Sequence, residues 1–258
     1  MQTSESLQLT HVKSSGHDQI TLHPNSAYTT MRTVGKRVFR FQQHLTRLHD
    51  ALTKNCKNPM SIEQIRDKIR AQFALLPTNS DLRIYIFISY ATQQLSLFAE
   101  PFTIAAPISQ FFTIQLTRPD PSIKDDVWVK MRQQAEGLLS EVTNEVIIYN
   151  ENKVVTEGLS SNVFVLRGGR VFTAPAGLVL DGTMRQTVIL ACKKLGVEVI
   201  EAEYTLEDLE AAEEVMVCST SRYVVCGQKV NGKEKQVDLG LKIRKEAEKL
   251  VLEECEDV

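Results

Sequence analysis

One short stretch, Val154 to Val199, holds an acid and a glycine whose types and positions suit chemistry. Glu157 follows the apolar pair Val154-Val155, which reads as a strand, so the strand delivers a carboxylate into the fold. Gly182 stands before Thr183-Met184-Arg185, where an amphipathic helix opens with Val188, Ile189, Ala191 and Cys192 at helical spacing. A glycine there lets backbone N–H groups approach an anion that a helix N-terminus already favours. The stretch thus offers an acid on a strand and a cradle for a phosphate-like group. Taken singly, each is also an ordinary strand end or helix start.

The surrounding elements must hold these two groups in place. Between them, the polar turn Ser160-Ser161-Asn162 leads into a hairpin, NVFVL and RVFTA, joined at Gly168-Gly169. Residues 1–18 read as a flexible tail. Two strands follow, with a turn at Gly35-Lys36. The run FQQHLTRLHDALTKN is a helix with Phe41, Leu45, Leu48 and Leu52 on one face, and Arg47 can point off that stripe. SIEQIRDKIRAQFALL is a second helix with Ser61 as N-cap and Gln64 completing a capping box. LRIYIFISY, LSLFAEPF and FFTIQLTR read as strands, which gives a small α+β domain over 19–118. Arg118-Pro119-Asp120-Pro121 begins a stiff connection, with the linker at 119–123. A larger domain over 124–258 starts with the helix VWVKMRQQAEGLLSEV. It continues through VIIYN, the hairpin, the helix after Gly182, VEVIEA, a short helix, EVMVCST, YVVCGQKV and a last helix.

Composition narrows the function classes. The 258 residues are 43% hydrophobic and 24% charged, the range of an ordinary globular protein. A net charge of -2 argues against nucleic-acid partners. No apolar run approaches the ~18 residues of a membrane span. The five cysteines form no CxxC or metal-like spacing, so they read as free thiols in a reducing compartment, and no metal is expected. The polar N-terminus lacks a secretory signal, which suggests the cytoplasm, or a plastid or other organelle if a transit peptide is missing from this chain.

Two motifs together carry a resemblance. T-E-G-x-S-S-N-V-F at Thr156–Phe164, followed by G-x-x-R-Q at Gly182–Gln186, is similar to the class IV aminotransferases. These are the fold-type IV pyridoxal-phosphate enzymes, including branched-chain and D-amino acid aminotransferases and aminodeoxychorismate lyase. The likeness runs from about Ser26 onward and implies a two-domain α+β / α/β fold, pyridoxal 5'-phosphate as cofactor, and a homodimer. It also implies roles. Lys124, in an arginine-and-proline context ending Ile123-Lys124, is the catalytic Schiff-base lysine. Its amine pKa would have to fall for it to act as a nucleophile. Glu157 partners the pyridine nitrogen. Arg47, within H-x-x-R-L, binds the cofactor phosphate through its planar fork, together with Gly182, the Thr183 and Met184 N–H groups, and Thr220. Ser161 and Asn162 line the pocket. Tyr28, Thr30 and Ser221 face the substrate, and Arg185 has a structural role.

The implied reaction is transamination between a small amino acid and a 2-oxo acid. An alternative is the lyase reaction that eliminates pyruvate from aminodeoxychorismate, since Tyr28-Thr29-Thr30-Met31-Arg32 is more similar to that branch. A second alternative is a catalytically degenerate member. The family's asparagine after the lysine is absent, and Asp125 and Asp126 stand there instead, where ionised acids would raise the Lys124 pKa.

Overall fold

The computed structural model describes residues 25–77 and 80–258, so the expected tail at 1–18 lies outside the described residues. β1 (Ser26–Val34) and β2 (Arg37–Phe39) pair across the Gly35-Lys36 turn, where Gly35 takes φ 62°. α1 (Phe41–Asn55) and α2 (Ile62–Phe73) follow, at the positions their patterns predict. α1 lays Phe41, Leu45, Leu48 and Leu52 against Ala27 and Met31 of β1. The capping box of α2 is formed: Ser61 Oγ accepts from the Gln64 N–H at 3.2 Å, and Gln64 Oε1 accepts from the Ser61 N–H at 2.8 Å. β3 (Leu82–Ser89) and β4 (Leu95–Pro101) complete this side, with β1 in the middle of the sheet. Successive residues of a strand face opposite sides. Ala27, Thr29 and Met31 therefore look toward α1, and Tyr28 and Thr30 look the other way.

The second sheet is built from β5 (Ile108–Gln115), β6 (Thr143–Tyr149), β7 (Val155–Gly158), β8 (Asn162–Arg167), β9 (Arg170–Thr173), β10 (Val199–Glu201), β11 (Glu214–Ser219), β12 (Tyr223–Val230) and β13 (Lys233–Glu234). Its path runs β10-β9-β8-β11-β12-β5-β6-β7, and β7 returns to pair with β8 through Glu157 and Asn162. Six strands thereby close on themselves around Phe111, Ile147, Val163, Val165, Val215, Val217 and Val225. α3 (Asp126–Glu136), α4 (Thr183–Lys194), α5 (Leu206–Ala211) and α6 (Asp238–Glu253) lie outside. α4 and α6 cover one face, where Met184, Val188 and Cys192 meet Ile243, Leu250, Met216 and Cys218. β11 is buried on both faces, which is why Val215–Cys218 are apolar without alternation.

Three features depart from the reading above. β5, grouped by sequence with residues 19–118, is hydrogen-bonded between β12 and β6 in the larger sheet. It runs parallel to both, and parallel neighbours need a crossover, which α3 supplies between β5 and β6. α3 stops at Glu136, with Gly137 as C-cap, rather than continuing through Leu138-Leu139. β14 (Cys255–Glu256) leaves α6 and pairs with β2, so the smaller sheet runs β14-β2-β1-β3-β4. β13 and β14 have two residues each, too few to show a period.

Candidate active site

A cavity of about 390 Å³ lies between the two sheets, within the range of small-molecule sites. Every residue singled out in the sequence reaches its wall: Lys124, Glu157, Arg47, Ser161, Asn162, Gly182, Thr183, Met184, Thr220, Tyr28, Thr30 and Ser221. Tyr28 and Thr30 come from the cavity face of β1, Glu157 from β7, Thr183 and Met184 from the first turn of α4, and Thr220 and Ser221 from the turn between β11 and β12.

Lys124 is held by its own backbone. Its carbonyl accepts from the Tyr28 N–H at 2.9 Å, and Asp125 bridges to Ala27. This sets the Lys124 Nζ 4.6 Å from the Tyr28 ring centroid, close enough for amine and phenol to shift each other's pKa. Burial pulls the Lys124 amine down to about 8 against the raising effect of Tyr28, and the cations Arg47, Arg118 and Arg132 lower it further. The expectation that Asp125 and Asp126 would raise this pKa is corrected. Asp125 caps α3, accepting from the Trp128 N–H at 3.4 Å. Asp126 accepts from the Ser26 N–H at 2.9 Å and pairs with Lys130 at 2.6 Å. Burial would raise the Tyr28 phenol, but Lys124, Arg132 and Arg118 together bring it to about 8.

Glu157 does not stand by itself. Its Oε1 accepts from Arg118 Nη1 at 3.0 Å, and Arg118 Nη2 donates to the Ile123 carbonyl. Burial raises the Glu157 carboxyl against the lowering effect of Arg118. Arg118, read from sequence as part of a connection, is thus a buried member of the site. Its proline-rich context carries no periodic signal that would have shown it. The turn after Glu157 is gripped from α3, where Trp128 Nε1 and Arg132 Nη1 both donate to the Leu159 carbonyl, at 2.9 and 2.6 Å.

Two more groups escaped the sequence reading. Glu145, fully buried on β6, accepts from Ser161 Oγ and Arg222 Nη2, each at 2.6 Å. Burial would raise the Glu145 carboxyl, but Arg222 and these hydrogen bonds hold it below its ordinary value. His44 shares Nδ1 with Thr29 Oγ1 at 2.7 Å and Arg47 Nη2 at 3.1 Å. Burial, with Arg47 beside it, keeps His44 well below its usual pKa and therefore neutral. The Ser161 hydroxyl and the Asn162 amide, which donates to the Leu180 carbonyl at 2.8 Å, are committed to the framework. Arg185 is too, through Asp181 at 3.1 Å and Glu201 at 2.6 Å.

The charges of the wall nearly cancel in pairs: Arg83–Glu100 at 3.1 Å, Arg118–Glu157 at 3.0 Å, Arg132–Glu136 at 2.9 Å and Arg222–Glu145 at 2.6 Å. Among the described residues no carboxylate pairs with Arg47, and its buried Nε lacks a hydrogen-bond partner. The first N–H groups of α4 have no acceptor within their helix. Gly182 is tight here, since a Cβ on it would meet Asn162 Oδ1 at 2.3 Å. Thr183 and Thr220 close this corner with their hydroxyl oxygens 2.8 Å apart. A half-buried guanidinium without a carboxylate partner, beside free helix-start donors, is what a phosphate requires. A half-buried lysine near pKa 8 is what an aldehyde requires. The residues present therefore fit pyridoxal phosphate.

Among the described residues, no helix is long and apolar enough to cross a membrane, and no cluster of His, Cys, Asp and Glu could hold a metal ion.

Comparison with known proteins agrees with the sequence motifs. The family model for the class IV aminotransferases matches residues 26–229. A D-alanine aminotransferase of Listeria monocytogenes serotype 4b is 26% identical over 218 residues, covering 76% of this chain and 75% of the relative. Two solved structures share the fold. The branched-chain aminotransferase of Thermoproteus uzoniensis with norvaline has a TM-score of 0.77 at 21% identity, covering 89% of this chain and 86% of the other. An aminotransferase of Brucella abortus bound to the cofactor PLP has a TM-score of 0.74 at 20% identity, covering 88% and 89%.

Proposed function

We propose that this chain, which belongs to the class IV aminotransferase family, uses Lys124 to carry its cofactor and to move the proton in transamination of a small amino acid and a 2-oxo acid. Pyridoxal phosphate is the cofactor of this family. The observation that carries the reading is the pairing of Lys124 with Tyr28, in a cavity where Arg47 is the one lining arginine without a carboxylate partner among the described residues.

When bound, the cofactor supplies an aldehyde for covalent capture of amines and an electron sink for the substrate carbon. The other roles fall to the chain. Arg47, the Thr183 and Met184 N–H groups and the Thr220 hydroxyl would receive the phosphate. Glu157, oriented by Arg118, would hold a proton on the pyridine nitrogen. The Lys124 Nζ, once freed, would take and return the proton of the substrate α-carbon, and a pKa near 8 suits a general base at neutral pH. Tyr28 would keep that amine aimed through its ring, 4.6 Å from the Nζ. The paired arginines leave the wall close to neutral, which suits a small zwitterion.

A second reading is the aminodeoxychorismate lyase reaction. It is favoured by Thr30, whose hydroxyl-bearing side chain stands on the cavity face of β1 one position from Thr29. The degenerate alternative loses one of its motives, because Asp125 and Asp126 turn away from Lys124. We also read the chain as a homodimer, supported by exposed Val127 and Met131 one turn apart on α3 and by exposed Phe112 and Val142. Sedimentation giving a monomer at micromolar concentration would remove that part.

The deciding experiment is the visible spectrum of the protein with pyridoxal phosphate, for the natural chain and Lys124→Ala, followed by borohydride trapping and peptide mapping. A band in the natural chain only, with the adduct on Lys124, supports the assignment. An adduct on another lysine sinks it. Adding amino acids with 2-oxo acids, or aminodeoxychorismate, then separates the two reactions.

A further inference from the structure

The donors proposed to receive the phosphate come from different halves of the fold. Arg47 rides on α1, which packs on the smaller sheet. The Thr183 and Met184 N–H groups open α4, which packs on the larger one. Each half could be well formed and the cradle still fail if the two were misaligned by an ångström.

Arg40 joins them. It stands just before α1 in a left-handed conformation, φ 49°, uncommon for a residue other than glycine. Its guanidinium grips both carboxylate oxygens of Glu254, Nε to Oε2 at 2.8 Å and Nη2 to Oε1 at 2.6 Å. The remaining nitrogen, Nη1, donates to the Thr183 carbonyl at 3.1 Å and to Gln186 Oε1 at 3.0 Å, both in the first turn of α4. Glu254 is tied from two further sides: its Oε2 accepts from Thr187 Oγ1 of α4 at 3.0 Å, and its carbonyl accepts from the Arg40 N–H at 3.0 Å. The chain beyond continues the grip. Cys255 pairs with Phe39, and Glu256 Oε2 accepts from the Gln42 N–H in the first turn of α1 at 2.9 Å. A bidentate fork fixes angle as well as distance. Neither Arg40 nor Glu254 lines the cavity.

We propose that Arg40 and Glu254 are positioning residues that hold the start of α1 against the first turn of α4, and so align the two halves of the phosphate cradle without touching its contents. This rests on the cradle reading above.

The test compares pyridoxal phosphate with pyridoxal, which lacks only the phosphate, by absorbance titration of the full chain freed of cofactor. The ratio of the two affinities isolates the phosphate's share of binding. Arg40→Met, Glu254→Gln and Arg47→Met are titrated beside the natural chain, with a melting curve for each. The expected result is a fall of about tenfold or more in that ratio for Arg40→Met and Glu254→Gln, with pyridoxal affinity little changed. Arg40→Lys keeps the charge but not the fork, and its ratio falls as well. If Arg40→Met does not fold, Glu254→Gln carries the comparison. An unchanged ratio for the Arg40 and Glu254 variants, with Arg47→Met lowering it, overturns the proposal and leaves the cradle standing. An unchanged ratio for Arg47→Met as well overturns the cradle itself. A lowered melting temperature with both affinities reduced alike makes the pair merely structural and also overturns the proposal.

Discussion

Arg118 Nη1 lies 3.0 Å from Glu157 Oε1, with 6% and 5% of the two side chains exposed. Removing one partner of a buried pair leaves the other charge uncompensated, and this costs more than the pair itself contributes. Arg118→Met is therefore expected to destabilise the fold by about 3–5 kcal/mol. Urea unfolding measures this, and the double variant Arg118→Met/Glu157→Gln should recover much of the loss. If the double variant is no more stable than the single, the pair is not the source.

The Lys124 amine, brought to about 8 by burial and neighbouring arginines, sets a pH dependence. Only the neutral amine reacts with an acylating reagent, so its labelling rate should rise with pH and reach half its maximum near 8. A lysine in a short model peptide reaches that point at roughly pH 10.4. The linkage has the same sign: between about 8 and 10.5 the unfolded chain binds more protons at this group, so stability rises with pH through that window. Peptide mass mapping of labelling against pH checks the first effect. A Lys124 curve that coincides with that of the model peptide would contradict the burial argument.

Gly182→Ala sets a methyl carbon 2.3 Å from Asn162 Oδ1, so the Asn162 amide must move and give up its bond to the Leu180 carbonyl. The expected loss is about 1–3 kcal/mol. Asn162→Ala in the Gly182→Ala background removes the collision, so thermal unfolding of that pair should show sub-additive costs. Additive costs would place the strain elsewhere.

Burial pushes the thiols of Cys192, Cys218 and Cys226 up to about 12. A thiol reagent at pH 8 should modify Cys56, which is partly exposed, well before these three. Full reaction would come only on unfolding. Rapid native labelling of Cys218, on the cavity wall, would show that the wall opens.

The local elements were legible because each is written in neighbouring residues. The stripe Phe41-Leu45-Leu48-Leu52 placed Arg47 on a helix, Ser61 and Gln64 marked a helix start, Gly168-Gly169 marked a hairpin, and Gly182 marked the entrance to α4. Helical and strand periods and cap chemistry act over a few residues, so one sequence suffices to show them. The family motifs extended this to where Lys124, Glu157 and Thr220 stand in the chain. What tertiary structure alone decided is everything that depends on distant partners. Whether Asp125 and Asp126 face Lys124 turned on the α3 cap and on the Ser26 backbone. Whether Arg118 was linker or site turned on Glu157, and the place of β5 turned on β6 and β12. The union of α1 with α4 turned on Glu254, far along the chain from Arg40. Such pairings are set by how the sheets pack, and a buried charge takes whichever partner the packed fold brings within reach.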